Sequence, residues 1–155
     1  MVMIKYRGLI EERTEDCPHG EYGALVVATD CHRNCKGCFN QHLKNAAILI
    51  SSAAAIVETI LTNPLHKWCI LGGLEWSEDP AGLEAIATEA RRRGLDVIIY
   101  TGCDPDEFMK RLGKEAIRRL QGCYVKFGSY DETRKGSDSS FGIKMASANQ
   151  FVSML

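Results

Sequence analysis

Short unbroken apolar runs alternate along this chain with longer stretches in which apolar residues return every third or fourth position. GALVVAT, residues 23–29, is rich in valine and predicts a buried strand. Ser52 then caps a predicted helix reaching to about Thr62, because Ile56, Val57, Ile60 and Leu61 share one face and Asn63 with Pro64 stops it. WCILGG, residues 68–73, predicts a second buried strand ending in paired glycines. Asp79 and Pro80 stand in the order of cap and first helical residue, followed by the stripe Leu83, Ile86, Ala87 and Ala90. Arg91, Arg92 and Arg93 occupy the last turn, where cations complement the helix dipole, and Gly94 ends it. That local role accounts for the arginine run without a nucleic-acid patch. LDVIIYTG, residues 95–102, predicts a third strand. Asp104, Pro105 and Glu107 open a helix whose stripe of Phe108, Leu112, Ile117 and Leu120 breaks near Gly113. CYVKFGSY, residues 123–130, predicts a fourth strand, and the polar segment 131–140 a loop.

Strands separated by helices imply an α/β fold with a mainly parallel sheet and helical crossovers, either a compact incomplete (β/α) barrel or an open sheet. No repeat or linker divides residues 1–155, which read as a single domain. Ligands of such sheets bind beyond the carboxyl ends of the strands. Those ends are Thr29 to Cys31, Gly72 to Glu75, Thr101 to Cys103 and Phe127 to Tyr130.

Composition narrows the setting. Apolar residues make up 45% and charged residues 25%, the balance of a globular protein. Nineteen basic against 20 acidic side chains leave a net charge of -1, so no overall field draws the chain to nucleic acid or an anionic membrane. The first residues turn charged too early for a secretory signal, and no apolar run is long enough to span a bilayer. A cytoplasmic location is the expectation. Seven cysteines, an odd number, argue against a full disulfide framework, and thiols clustered in a reducing compartment point to metal or catalysis.

Three of them, Cys31, Cys35 and Cys38, lie within eight residues directly after the first strand. A structural zinc site closes with four protein donors, and no fourth cysteine stands at knuckle spacing; His32 or His42 could complete one. Three thiolates would also hold three irons of a cubane 4Fe-4S cluster and leave the fourth open. Both metals remain compatible with the spacing. Cys69 and Cys123, inside predicted strands, read as small core residues, whereas Cys17 and Cys103 invite a redox or substrate-side role.

The CxxxCxxC arrangement after the first strand of a parallel α/β domain resembles the signature of radical S-adenosylmethionine enzymes. In that superfamily the amino and carboxylate groups of S-adenosylmethionine chelate the open iron. Reduction then cleaves the cofactor into methionine and a 5'-deoxyadenosyl radical that abstracts hydrogen. ILGGLEWSEDP, residues 70–80, resembles the superfamily's glycine-rich strand end. The resemblance implies cofactor contacts from Gly37, Cys38, Phe39, Gly72 and Gly73, and a carboxylate of Glu75 for the cofactor's ammonium. Many relatives carry the acid directly after the glycines, whereas here Leu74 intervenes.

CKGCFN, IIYTG, VKFGSY and MASANQFV, in that order between residues 23 and 152, resemble the activating proteins of anaerobic ribonucleoside-triphosphate reductase. The resemblance implies a glycyl-radical-enzyme activase, with the large reductase subunit as partner and a low-potential donor such as flavodoxin. Lys126-Phe127-Gly128, Ala146-Ser147-Ala148 and Cys103 depart from the family pattern. Activation of another glycyl-radical enzyme, modification of a peptide, and a non-catalytic zinc-binding interaction module are the alternatives.

Overall fold

The valine- and isoleucine-rich runs become the middle of one sheet. The computed structural model describes residues 2–33, 40–136 and 139–155. The chain opens with strands β1 (Met3–Tyr6), β2 (Leu9–Arg13) and β3 (Tyr22–Val27), followed by β4 (Leu49–Ser52). It then alternates as α1 (Ala53–Leu61), β5 (His66–Gly72), α2 (Pro80–Arg92), β6 (Asp96–Tyr100), α3 (Pro105–Leu112), α4 (Lys114–Arg119) and β7 (Tyr124–Phe127). Short strands β8 (Ser139–Ser140), β9 (Ile143–Lys144) and β10 (Phe151–Met154) complete it.

Six strands form the main sheet in the order β10-β7-β6-β5-β3-β2. The central four pair in parallel, as the helical crossovers require. β2 and β10 pair antiparallel at the two edges, which the mainly parallel expectation did not include. Among the described residues no pairing joins those edges, so they form an open mixed sheet. β1 and β4 make a separate antiparallel pair.

Caps and stops fall where the sequence places them. Ser52 accepts from Ala55 N–H at 3.1 Å, Asp79 from Gly82 N–H at 3.1 Å, and Asp104 from Glu107 N–H at 2.8 Å. Gly113, at φ +86, separates α3 from α4. The arginine run spends its charge inside the chain: Arg91 donates to the Gly122 carbonyl, Arg92 pairs with Glu89, and Arg93 pairs with Glu58.

Alternation along the strands sorts the core into two faces. Val26, Cys69, Leu71, Val97, Ile99 and Val125 point to one, where they meet Ile56 and Ile60 of α1 and Leu83 and Ile86 of α2. Leu25, Val27, Trp68, Ile70 and Ile98 point to the other, which Val152 of β10 extends and on which the loop residue Cys17, Ile143 of β9 and Met145 pack. The buried apolar residues of α1, α2 and α3 pack on the first face. Among the described residues no α-helix packs over the second, which leaves room for a cavity. Among the described residues, no helix is long and apolar enough to cross a membrane.

Candidate functional site at the strand ends

A cavity of about 410 Å³ opens on the helix-free face beside the carboxyl ends of the four parallel strands. Leu25 and Ile70 form its floor, while Cys31, Gly73, Gly102 and Ser129 bring all four strand-end loops to its wall. The rim expected from strand order is therefore one place in space. Tyr100 and Lys126 continue the floor along β6 and β7, with the Lys126 ammonium 5.6 Å from the centre of the Tyr100 ring.

Cys31 is half-buried at this wall. Cys35, Gly37, Cys38 and Phe39, the remaining candidates of the cysteine segment, lie outside the described residues. Among the described residues no three His, Cys, Asp or Glu side chains gather as a metal site. His32, a candidate fourth zinc donor, is engaged by Glu78, which accepts its backbone N–H at 2.9 Å and pairs with its ring. His42, the other, is exposed in the 3-10 turn Gln41–Asn45.

The paired glycines differ. At Gly72 an added Cβ would lie 3.1 Å from the Cβ of Tyr100. At Gly73 it would come within 2.9 Å of Val27 and 3.2 Å of Leu43, and φ is +76. The chain turns out of β5 through a conformation that suits glycine and packs against the turn following the cysteine segment.

Glu75 is buried, with 4% of its surface exposed, so it is not a solvated loop acid. One carboxylate oxygen accepts Ser77 N–H at 3.2 Å, Ser77 Oγ at 2.7 Å and Thr101 Oγ1 at 2.8 Å. The other accepts Gly102 N–H at 2.7 Å and faces Arg33 Nε at 4.0 Å. The carboxylate thus ties the loops after β5 and β6 together.

Arg33, Ser77, Thr101 and Ser129 complete this network. The sequence places Thr101 and Ser129 at strand ends but gives none of the four a role, because isolated polar residues there carry no motif. The position of Arg33 between two candidate ligands was the available signal. Burial works against the Arg33 charge, but the neighbouring Cys103 and Glu107 side chains outweigh it and hold its pKa above the usual value.

The remaining thiols are buried. Cys17 packs beneath Gly23 with its Sγ donating to the Arg13 carbonyl at 3.4 Å, and burial with Asp16 and Glu21 pushes its pKa to about 12. Such a thiol has little thiolate at neutral pH, so a redox role finds no support there. Cys103 is fully buried, 3.5 Å from Ser77 Oγ. Cys69 and Cys123 are core residues, as their strand positions predict.

The far end of the cavity is lined by the end of β2, the residues after it and the C-terminal segment. Arg13 and Asp16 pair at 2.8 Å, and Tyr100 donates its hydroxyl to the Asp16 carbonyl at 2.8 Å. Burial, with Asp16 and Cys17 nearby, raises the Tyr100 pKa and keeps the phenol neutral. Asn149 and Gln150 fasten the C-terminal segment to the end of β7, donating to the Ser129 carbonyl at 2.7 Å and the Gly128 carbonyl at 3.1 Å.

The family model described as a 4Fe-4S single cluster domain matches residues 20–152, the span from the start of β3 to β10. Neither a curated protein nor a solved structure matches the chain. An iron-sulfur centre is the metal of that family, and structural zinc is set aside.

Proposed function

This chain belongs to the 4Fe-4S single cluster domain family, and on that premise we propose that it is a radical S-adenosylmethionine activase. Its target in this reading is a glycine on the large subunit of an anaerobic ribonucleotide reductase. The observation that carries the proposal is the cavity itself: about 410 Å³, at the ends of four parallel strands, with Cys31 in its wall. That volume suits a nucleoside-sized ligand.

Cys31, Cys35 and Cys38 would hold the cluster, and three thiolates leave one iron open to a ligand from outside the protein. The half-buried Cys31 and the close backbone at Gly73 fit such a group, since one supplies a donor at the cavity and the other lets the turn at Leu43 approach the end of β5. When bound, cluster and S-adenosylmethionine supply a reducing electron and a carbon that takes hydrogen from the target.

The protein's own contribution is orientation and exclusion. Glu75 fixes the loops after β5 and β6. Leu25 and Ile70 offer an apolar floor, and Tyr100 a neutral polar edge. The Arg13–Asp16 pair and the strap through Gln150 border the cavity's far side. A glycine is a suitable target because no side chain screens its α-hydrogens and the flanking amides stabilise the radical. A low-potential protein donor such as flavodoxin would deliver the electron.

The test mixes reconstituted, reduced protein with S-adenosylmethionine and the candidate reductase under argon. A glycyl-radical doublet by electron paramagnetic resonance is the expected result. Cofactor cleavage without the doublet would assign another glycyl-radical enzyme or a peptide as target. A clustered protein that does not cleave S-adenosylmethionine would overturn the proposal.

A further inference from the structure

One side chain in the cysteine segment reaches all three of the other strand-end loops. Arg33, two residues after Cys31, lies across Gly102 so closely that a Cβ there would come within 2.5 Å of its Cδ. Its Nη1 donates to Ser129 Oγ at 2.8 Å, its Nη2 pairs with Glu107, and its Nε faces Glu75 at 4.0 Å. Ser129 Oγ in turn donates to the Gly102 carbonyl at 2.8 Å. The loops after β5, β6 and β7 are thereby gathered around a guanidinium that belongs to the loop after β3.

The surroundings are charge-balanced. Arg111 pairs with the other oxygen of Glu107 at 3.0 Å and donates to Ser77 Oγ at 2.9 Å, so two arginines face two glutamates. The Arg33 side chain is 22% exposed, which places much of its charge out of water, where its field is less screened. Removing it would leave this group with a net negative charge next to the cysteine segment.

We propose that Arg33 is a positioning residue for the iron-sulfur cluster: it ties the loop that leaves β3 at Cys31 to the other strand ends and sets a fixed positive charge that raises the cluster's reduction potential. A cluster held by thiolates gains negative charge on reduction, so a neighbouring cation favours the reduced state. Partners outside the ligand set also fix ligand geometry and metal retention. The inference rests on the 4Fe-4S centre and is independent of the substrate.

The experiment compares the reconstituted wild-type protein with Arg33→Gln, Arg33→Lys and Gly102→Val. Two quantities are read: the midpoint potential, by titration monitored with electron paramagnetic resonance, and the rate at which a ferrous chelator bleaches the cluster. Arg33→Gln is expected to lower the potential and to speed bleaching at least about tenfold. Arg33→Lys keeps the charge but cannot span Ser129 and Glu107 together, so it retains most of the potential while bleaching faster. Gly102→Val displaces the guanidinium without deleting it and reproduces the faster bleaching, and adding it to Arg33→Gln increases the rate no further.

A wild-type potential in Arg33→Gln overturns the proposal whatever its bleaching rate. If Arg33→Gln fails to load a cluster, Arg33→Lys decides: a potential near wild type with faster bleaching supports the proposal, and wild-type bleaching overturns it. Failure of the wild-type protein to cleave S-adenosylmethionine would defeat the proposed activity and leave both readouts intact.

Discussion

Glu75 accepts the backbone N–H of Gly102 at 2.7 Å, so a buried carboxylate joins the ends of β5 and β6 beyond the point where sheet pairing stops. Its other oxygen takes three donors from Ser77 and Thr101. Glu75→Gln is nearly the same shape but turns an acceptor into a donor against at least one of these groups. The expected cost is about 2–3 kcal/mol, read from urea unfolding. A loss near zero would show that the loops hold together without the carboxylate.

The buried thiols give stability a dependence on alkaline pH. Burial pushes Cys17 and Cys69 up to about 12 and Cys123 up to about 11, against an ordinary value of 9.0. Below that ordinary value the thiols are protonated in both the native and the unfolded chain, and their contribution is whole. As pH rises through the window from 9.0 to about 12, the unfolded chain releases these protons first, so stability falls. Buried Tyr100, also raised, adds to the loss at the upper end. Urea midpoints at pH 7.5, 9 and 10 should be flat and then decline, with a shallower decline in Cys69→Ala. A midpoint unchanged across the whole range would show that solvent reaches these thiols in the native state.

The paired glycines should respond unequally to alanine. At Gly73 the new Cβ would meet Val27 at 2.9 Å in a backbone conformation of positive φ. The expected loss is about 2 kcal/mol or more. At Gly72 the nearest atom is Tyr100 Cβ at 3.1 Å and no such strain arises, so about 1 kcal/mol suffices. Thermal midpoints of the two variants give the comparison, and equal shifts would contradict it.

These contrasts also mark how far the sequence could be read. The parallel core was legible because β3, β5 and β6 are buried runs and β7 alternates, and the helices because Ser52, Asp79 and Asp104 are caps of ordinary chemistry. The edge strands were not. β2, with the sequence LIEER, has no buried residue and pairs through a register shift, and β10 follows a segment of small polar residues. Neither shows the alternation that marks a strand facing both core and solvent. At the site, glycines and cysteines announce themselves by type. Arg33 and Ser129 act through a meeting of loops 96 residues apart, which no local pattern records.

The C-terminal strap offers a last contrast, because Gln150 uses both ends of its amide. Its oxygen accepts the N–H groups of Ala146 at 3.0 Å and Ser147 at 3.1 Å, while its nitrogen donates to the Gly128 carbonyl at 3.1 Å. Gln150→Ala removes all three bonds, and hydrogen exchange at Ala146 and Ser147 should quicken about tenfold while amides of the central strands stay unchanged. Gln150→Glu keeps acceptors for both N–H groups but sets a carboxylate against the Gly128 carbonyl. Ala146 and Ser147 should then stay protected while the strap loosens at the end of β7 and becomes more open to protease. Equal protection in all three proteins would mean that packing of Met145 and Val152 on the sheet holds the strap, and that the amide is incidental.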